Sequence, residues 1–575
     1  MPRICLALLV GCVMMTTSGG CGRKTTPATP AYPEKAMNPS EKEFAELYEK
    51  YVARYEPLFR ESAQAWWDAN TTGSDEAVAR RKASEAAIVD LHHDPAVFAR
   101  LKALKEGGQV RQPVMSRQLD VLYRTFLAGQ GDPSIQKRLV ELEADLEQTF
   151  NTHRSTMDGR LLTENDVRKI VAETRDSTAA EKAWKAYMEV GAKVDGQLRE
   201  AVRLRNQLAR QLGFRDFYAM RLELDEIDEA ELFRIFDELD ALTAAPFAEL
   251  KQEIDQAMCA RFGLTPSELR PWHFGDLFFQ EPPVTETRTL TDIYQHQDLL
   301  ALAKTYYAGI GLPVEHILAR SDLYEKPGKS PHAFQANLDR VSDIRILCNL
   351  RPNAAWADTL LHELGHAVYD DHIDRNIPFI LRTPSHSITT EGIALMFGGM
   401  SKNEEFLTKV VQADPEQTAV LVAAARRATR GEKLIFARWA QVMVRFEKGM
   451  YGDPDQNLGQ LWWNLKNRYQ LLNRPEDVNR PDYAAKNHIV TTPVYYHNYL
   501  LGDLFASQVQ EYIAREVTRV AHPWSTSFCG RPEVGEYLRR EILSLGNLYR
   551  WDDLTRRATR QPLSAQAFVR QLTAQ

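Results

Sequence analysis

Cysteine is scarce in this chain of 575 residues, with six in all: Cys5, Cys12, Cys21, Cys259, Cys348 and Cys529. No two form a CxxC pair, which excludes the usual zinc-finger spacing, and so thin a scatter builds no disulfide framework. At most one bridge joins two of the last three, and the plainer expectation is that all three are small buried apolar residues. Positive charge is also in deficit, with 71 Lys and Arg against 78 Asp and Glu and a formal net charge of −7. Without a basic run or aromatic-basic interleaving, a nucleic-acid partner is excluded. Beyond the first twenty residues no stretch is apolar enough to cross a bilayer. Strand patterns are few, and there is no internal repeat and no long low-complexity linker after residue 40. What remains is ordinary globular composition, 44% hydrophobic and 26% charged, which suits one large, mainly helical domain over residues 40–575.

The N-terminus differs from the rest. Arg3 precedes an apolar run from Ile4 to Met15 and then small residues up to Cys21, the pattern of a secretory signal over residues 1–20. The "SGGC" at its end resembles a bacterial lipoprotein signal, which implies lipidation of Cys21, although Ser18 stands where such signals usually carry Leu; plain secretion with another cut is the alternative. Residues 21–39 follow, with Pro27, Pro30 and Pro33 three apart, a spacing that favours an extended tether. The expected protein is thus exported, a periplasmic or cell-envelope lipoprotein of a bacterium. It is expected to be monomeric and to touch a membrane only through that anchor.

Helical order is expected from Ser40, as N-cap with Glu43 as its capping-box partner. Phe44, Leu47, Tyr48, Tyr51, Val52 and Tyr55 keep helical spacing, and the same period returns in "SIQKRLVELEADLEQTF" and "EAELFRIFDELDAL". Trp66, Trp67, Trp462 and Trp463 read as helix core. The clearest strand is "SDIRILCNL", where Ile344, Ile346, Cys348 and Leu350 alternate with Arg345, Leu347 and Asn349.

After that strand comes "TLLHELGHAVYDDH". His362 and His366, four apart, lie on one helix face about one turn, roughly 6 Å, along the axis. Both imidazoles can therefore reach one ion at about 2.0–2.1 Å. Glu363 sits about 100° around the helix, aside from that pair but able to reach a water beside the ion. Asn353 can cap the start of this helix. Gly365 costs about 1 kcal/mol in a helix interior, so its presence implies a close neighbour. A catalytic zinc needs a third protein ligand. "SITTEGIALMFGGM" supplies Glu391 at a helix start, where an acidic residue in an apolar run is costly unless paired or ligating. His372 and His386 are the competing candidates.

These residues, in "DIRILCNLRPNAAWADTLLHELGHA" and "TTEGIALMFG", resemble the peptidyl-dipeptidase A family of zinc peptidases, typified by angiotensin-converting enzyme. Further similar segments are "SAQAWWDANTTGSDEA", "FGDLFFQ", "LWWNLKNRYQ" and "AAKNHIVTTPVYYHNYLLGDLFASQ". The C-terminal "GRPEVGEYLRREILSLGNLYRWDDLTRRAT" resembles the related thimet-type oligopeptidases. The likeness implies a mainly α-helical ellipsoid, with a very small β component, whose two lobes flank a deep central cleft. It implies one zinc per chain on His362, His366 and Glu391, with Glu363 as general base and acid. It also implies that His488 and Tyr499 stabilise the oxyanion and that Gln280, Lys486 and Tyr496 hold a peptide's C-terminal carboxylate. His332 is implied to lie on a strand that pairs with substrate backbone. Tyr495 rivals Tyr496 and Tyr499 for either tyrosine role, since the alignment slips by one residue there. Thr492-Pro493 reads as a helix start, so all three tyrosines could equally be core aromatics. The family's chloride-binding arginines correspond to Lys466 and Asn498, a departure that puts chloride activation in doubt, and Pro331 replaces the cysteine that would pair with Cys348. The expected activity is zinc-dependent release of C-terminal dipeptides from oligopeptides. A thimet-like oligopeptidase or a carboxypeptidase on short peptides is the nearest alternative, and a noncatalytic peptide-binding lipoprotein a more distant one.

Overall fold

The computed structural model describes residues 37–283 and 290–574. The signal segment, Cys21 and the tether up to residue 36 lie outside the described residues. The fold is mainly α, 68% helical, with two small antiparallel sheets.

The first helix, Pro39–Thr72, begins slightly ahead of the expected Ser40. Asn38 is its N-cap: the Asn38 side chain accepts from the Glu41 N–H at 3.0 Å, and the Glu41 carboxylate accepts from the Asn38 N–H at 2.9 Å. Pro39 fixes this choice, because its ring presets the helical φ at a position where no N–H is needed. Glu43 pairs with Arg100 instead, at 3.2 Å. Phe44, Leu47, Tyr48 and Tyr51 are buried as their spacing requires, with Val52 and Tyr55 partly buried against them. These residues belong to the main core cluster, whose members are drawn from along the chain between Phe44 and Leu572. Trp184, Trp439, Trp462 and Trp463 are among its largest fully buried side chains, so the second tryptophan pair is core, as read.

Sequence patterning missed the first sheet, Ser155–Met157 paired with Arg160–Leu162. Asp158 and Gly159 form its turn with φ of 49° and 79°, the left-handed pair that a two-residue Asp-Gly hairpin needs. In the second sheet Phe334–Asn337 pairs with Ile344–Leu347, Phe334 opposite Leu347. Ile344 and Ile346 are buried, as the alternation requires. Trp67, Phe334, Ala336, Leu338 and Leu347 form a separate small cluster, with Trp66 packed against it. Cys259, Cys348 and Cys529 are all free thiols.

The helix Ala354–Asp371 follows directly, capped by Asn353, whose side chain accepts from the Trp356 N–H at 2.8 Å. The close neighbour implied by Gly365 is the helix Ser387–Gly398: a Cβ on Gly365 would lie 2.7 Å from Ala394 Cα. On the other side, a Cβ on Gly502 would come 3.2 Å from Glu391 Cβ. Three helices, Ala354–Asp371, Ser387–Gly398 and His497–Tyr512, are thus packed in sequence at glycine contacts, and Glu391 stands between its two neighbours.

Candidate metal centre

His362 and His366 lie in the middle of Ala354–Asp371, with their Nε2 atoms 3.2 Å apart. Glu391, in the first turns of the neighbouring helix, brings Oε2 to 3.8 Å from each of them. The point equidistant from these three atoms is roughly 2.1 Å from each, the length of a zinc–nitrogen or zinc–oxygen bond. Of the three candidates for third ligand, Glu391 is the one that joins the cluster. His372 is occupied at the helix end, its Nδ1 2.9 Å from the Val368 carbonyl. His386 caps the Glu391 helix, its Nδ1 accepting from the Ile388 N–H at 3.1 Å. In each case a local helix-terminal bond claims the ring.

The donor chemistry fits a divalent ion. Burial pushes His362 down to about 4, and burial, with His362 beside it, holds His366 well below the usual imidazole range. Both rings are therefore neutral, as metal ligation requires. His366 Nδ1 lies 2.7 Å from Thr390 Oγ1; with the proton on Nδ1 it donates to that hydroxyl and leaves the Nε2 lone pair for the ion. Replacing Thr390 with Val should lower zinc affinity about 10- to 100-fold. A chelator competition titration on folded protein reads this directly, and unchanged affinity would show that the hydroxyl orients nothing.

Glu363 is 4% exposed, and its Oε2 is buried without a hydrogen-bond partner in the protein. Burial and then the negative charge of Glu391 push this carboxyl up to about 8. An orphaned buried oxygen beside three converging ligand atoms is the arrangement expected of a base that works on a water molecule.

A second group of residues lies alongside. His488, in the short helix Asn487–Thr491, packs its ring 5.3 Å from Tyr496 and 6.2 Å from Tyr499. Tyr499 in turn lies 5.3 Å from both Tyr495 and Tyr496. The tyrosines face different neighbours. Tyr495 is held above the usual phenol range by burial and then by the charge of Glu391. The Tyr496 hydroxyl accepts from Trp439 Nε1 at 2.7 Å, on the side where Lys486 Nζ stands 5.8 Å from its ring. Thr492-Pro493 does not start the helix; it starts at His497, after Val494 has turned the chain through a left-handed φ of 55°.

Gln280, distant in sequence from Lys486 and Tyr496, comes together with them: Lys486 Nζ donates to Gln280 Oε1 at 2.6 Å and stands 5.8 Å from the Tyr496 ring. Asp276 shapes this corner by accepting the N–H groups of Phe278 and Gln280 at 3.0 and 2.9 Å. Burial lowers Lys486 to about 8. His332 is exposed and stands in the loop before the strand Phe334–Asn337 rather than in it. Gln335, within that strand, is the residue that sequence reading missed: its side-chain amide donates to Asp370 Oδ2 at 2.9 Å, on the helix that carries Glu363. The alternation of Phe334, Gln335 and Ala336 was the available signal. At the positions compared with chloride ligands, Lys466 is buried against Trp439 and donates to the Phe278 carbonyl at 2.7 Å, while Asn498 is buried.

Three converging ligands on two packed helices, with a buried carboxyl next to them, define a metallopeptidase centre of the HExxH type. The family model described as angiotensin-converting enzyme matches residues 38–260, and that of peptidase family M3 matches residues 318–574. The chain is therefore a zinc metallopeptidase related to both families. Each match spans less than half of the chain, and the HExxH helix and Glu391 fall within the M3 match. No individual curated protein matches the chain.

Proposed function

We propose that the protein hydrolyses oligopeptides by releasing C-terminal dipeptides. The observation that carries this reading is the gathering of Lys486, Gln280 and Tyr496 beside the His488–Tyr499 pair. A buried ammonium flanked by two neutral polar groups suits a free carboxylate, because charge-assisted hydrogen bonds are the strong ones.

One zinc held by His362, His366 and Glu391 would supply Lewis-acid polarisation of the scissile carbonyl and a nucleophilic water near neutral pH. Glu363 takes the proton of the attacking water on its unpartnered oxygen and passes it to the leaving amine. His488 and Tyr499 donate to the oxygen on which negative charge develops. Lys486 and Gln280 fix the far end of the peptide and so its register across the bond that breaks. Lys466 is buried over the Trp439 ring and turned to the Phe278 carbonyl, so activity is expected to be the same in chloride and in acetate at equal ionic strength.

Lys486→Ala should raise KM for free-acid peptides about 10- to 100-fold, the loss of one charged hydrogen bond, and leave C-terminally amidated peptides unaffected. Equal effects on both would remove the carboxylate clamp. The M3 match favours a second reading, an oligopeptidase that cuts within short peptides. Mass spectrometry of products separates the two: dipeptides from the free acid alone support the first, internal cuts in the amide support the second. Export as a Cys21-anchored envelope lipoprotein belongs to the same proposal, and is checked by loss of fatty-acid labelling in Cys21→Ser.

A further inference from the structure

We infer that Glu447 is a positioning residue for the tyrosine segment of the site, holding Tyr495, Tyr496 and Tyr499 through the backbone of Val494. This rests on the peptidase reading above. Glu447 lies on the long helix Pro415–Gly452 and is 2% exposed. Its Oε1 accepts the Val494 N–H at 2.7 Å, a hydrogen bond buried at both ends.

Val494 has a φ of 55°. A β-branched residue in the left-handed region is a conformational outlier and persists only where its surroundings impose it. The chain has a reason to pass through it there. Tyr495 and Tyr496 follow immediately, and the helix that carries Tyr499 starts at His497. Were Val494 to relax to negative φ, the peptide leading into Tyr495 would rotate and the three rings would leave their present packing around His488. The same long helix grips the segment a second time, through Trp439 Nε1 on the Tyr496 hydroxyl at 2.7 Å, a little over two turns from Glu447.

A carboxyl group so deeply buried, where desolvation pushes it up to about 8, is an expensive way to hold one N–H. Its cationic neighbour, Arg205, is committed elsewhere, with hydrogen bonds to Glu143 at 2.8 Å and to the Tyr451 hydroxyl at 3.2 Å. Plain packing would be served by an apolar side chain. The bond to a strained backbone next to the site is what the carboxyl oxygen does that an apolar group could not.

The test uses full-length zinc-loaded enzyme and two readouts: amide hydrogen exchange over residues 492–499, and kcat and KM on a peptide substrate. Glu447→Ala should lose exchange protection in this segment and lower kcat on the order of a hundredfold, as misplacement by about an ångström does, with KM changed less and zinc content unchanged. Glu447→Gln keeps an acceptor oxygen and should retain protection and rate. Adding Val494→Gly, which makes the left-handed turn without strain, should restore much of the rate to Glu447→Ala. Should Glu447→Ala fail to fold, Glu447→Asp, whose carboxylate falls short of Val494, takes its place with the same expectations. Unchanged protection overturns the hold on Val494. Lost protection with normal kcat, or a Gln variant as impaired as Ala, overturns the positioning role. Wild-type enzyme that hydrolyses no peptide would refute the peptidase reading instead, and the exchange comparison would still decide whether Glu447 holds the segment.

Discussion

Glu363→Gln is expected to bind zinc as the wild type does and to lose about 10²- to 10⁴-fold in kcat, the span covered by general acid–base catalysis. The substitution is nearly isosteric, and the amide cannot accept and return a proton. Glu363 makes no contribution to the cluster of ligand atoms, which consists of His362, His366 and Glu391. Zinc content by elemental analysis should therefore match the wild type. The variant should also fold well, because burial, and then the charge of Glu391, disfavours a carboxylate at this position and the amide carries no charge. Turnover within tenfold of the wild type would show that another group takes the proton.

His366→Ala should have the larger effect, with zinc lost on dialysis and hydrolysis below detection. Two protein donors hold zinc far more weakly than three, and His366 is the more buried of the two histidines, at 8% exposure. The controls come from the other two histidines. His372→Ala should keep its zinc, because that ring serves the helix end through Val368. His386→Ala should also keep zinc and lose stability, by about 0.5–2 kcal/mol for an N-cap. Zinc lost from either control, and kept by His366→Ala, would require a different ligand set.

The fold class was legible because helical periodicity is written repeatedly along the chain and strand alternation only once with clarity. The Asp158-Gly159 hairpin escaped notice because its strands are three residues each, too short for alternation to register, although the turn dipeptide was there to be read. The start of the first helix was misplaced because Ser40 and Glu43 have the right chemistry while Pro39 decides the geometry. At the site, His362, Glu363 and His366 follow from helix spacing alone. Glu391 needed one further inference, that an acid in an apolar helical run must have a purpose. Gly365 pointed to the helix contact that delivers it. The strand that carries Gln335 was legible by alternation but its contact with Asp370 was not, and Glu447, Trp439 and Thr390 were not legible, because each acts across a tertiary contact with a segment distant in sequence or, for Thr390, through a ring one helix away. The tyrosine roles stayed ambiguous in sequence for a related reason. The family alignment slips by one residue there, and spacing could not show that the helix starts only at His497, after the left-handed turn at Val494.

The most direct measurement is anomalous diffraction at the zinc edge from crystals of the metal-loaded protein. The expected result is one peak per chain, about 2.0–2.2 Å from His362 Nε2, His366 Nε2 and a Glu391 carboxylate oxygen, with Glu363 outside bonding distance. No peak at that point, or an ion bound elsewhere while these three side chains turn apart, would contradict it.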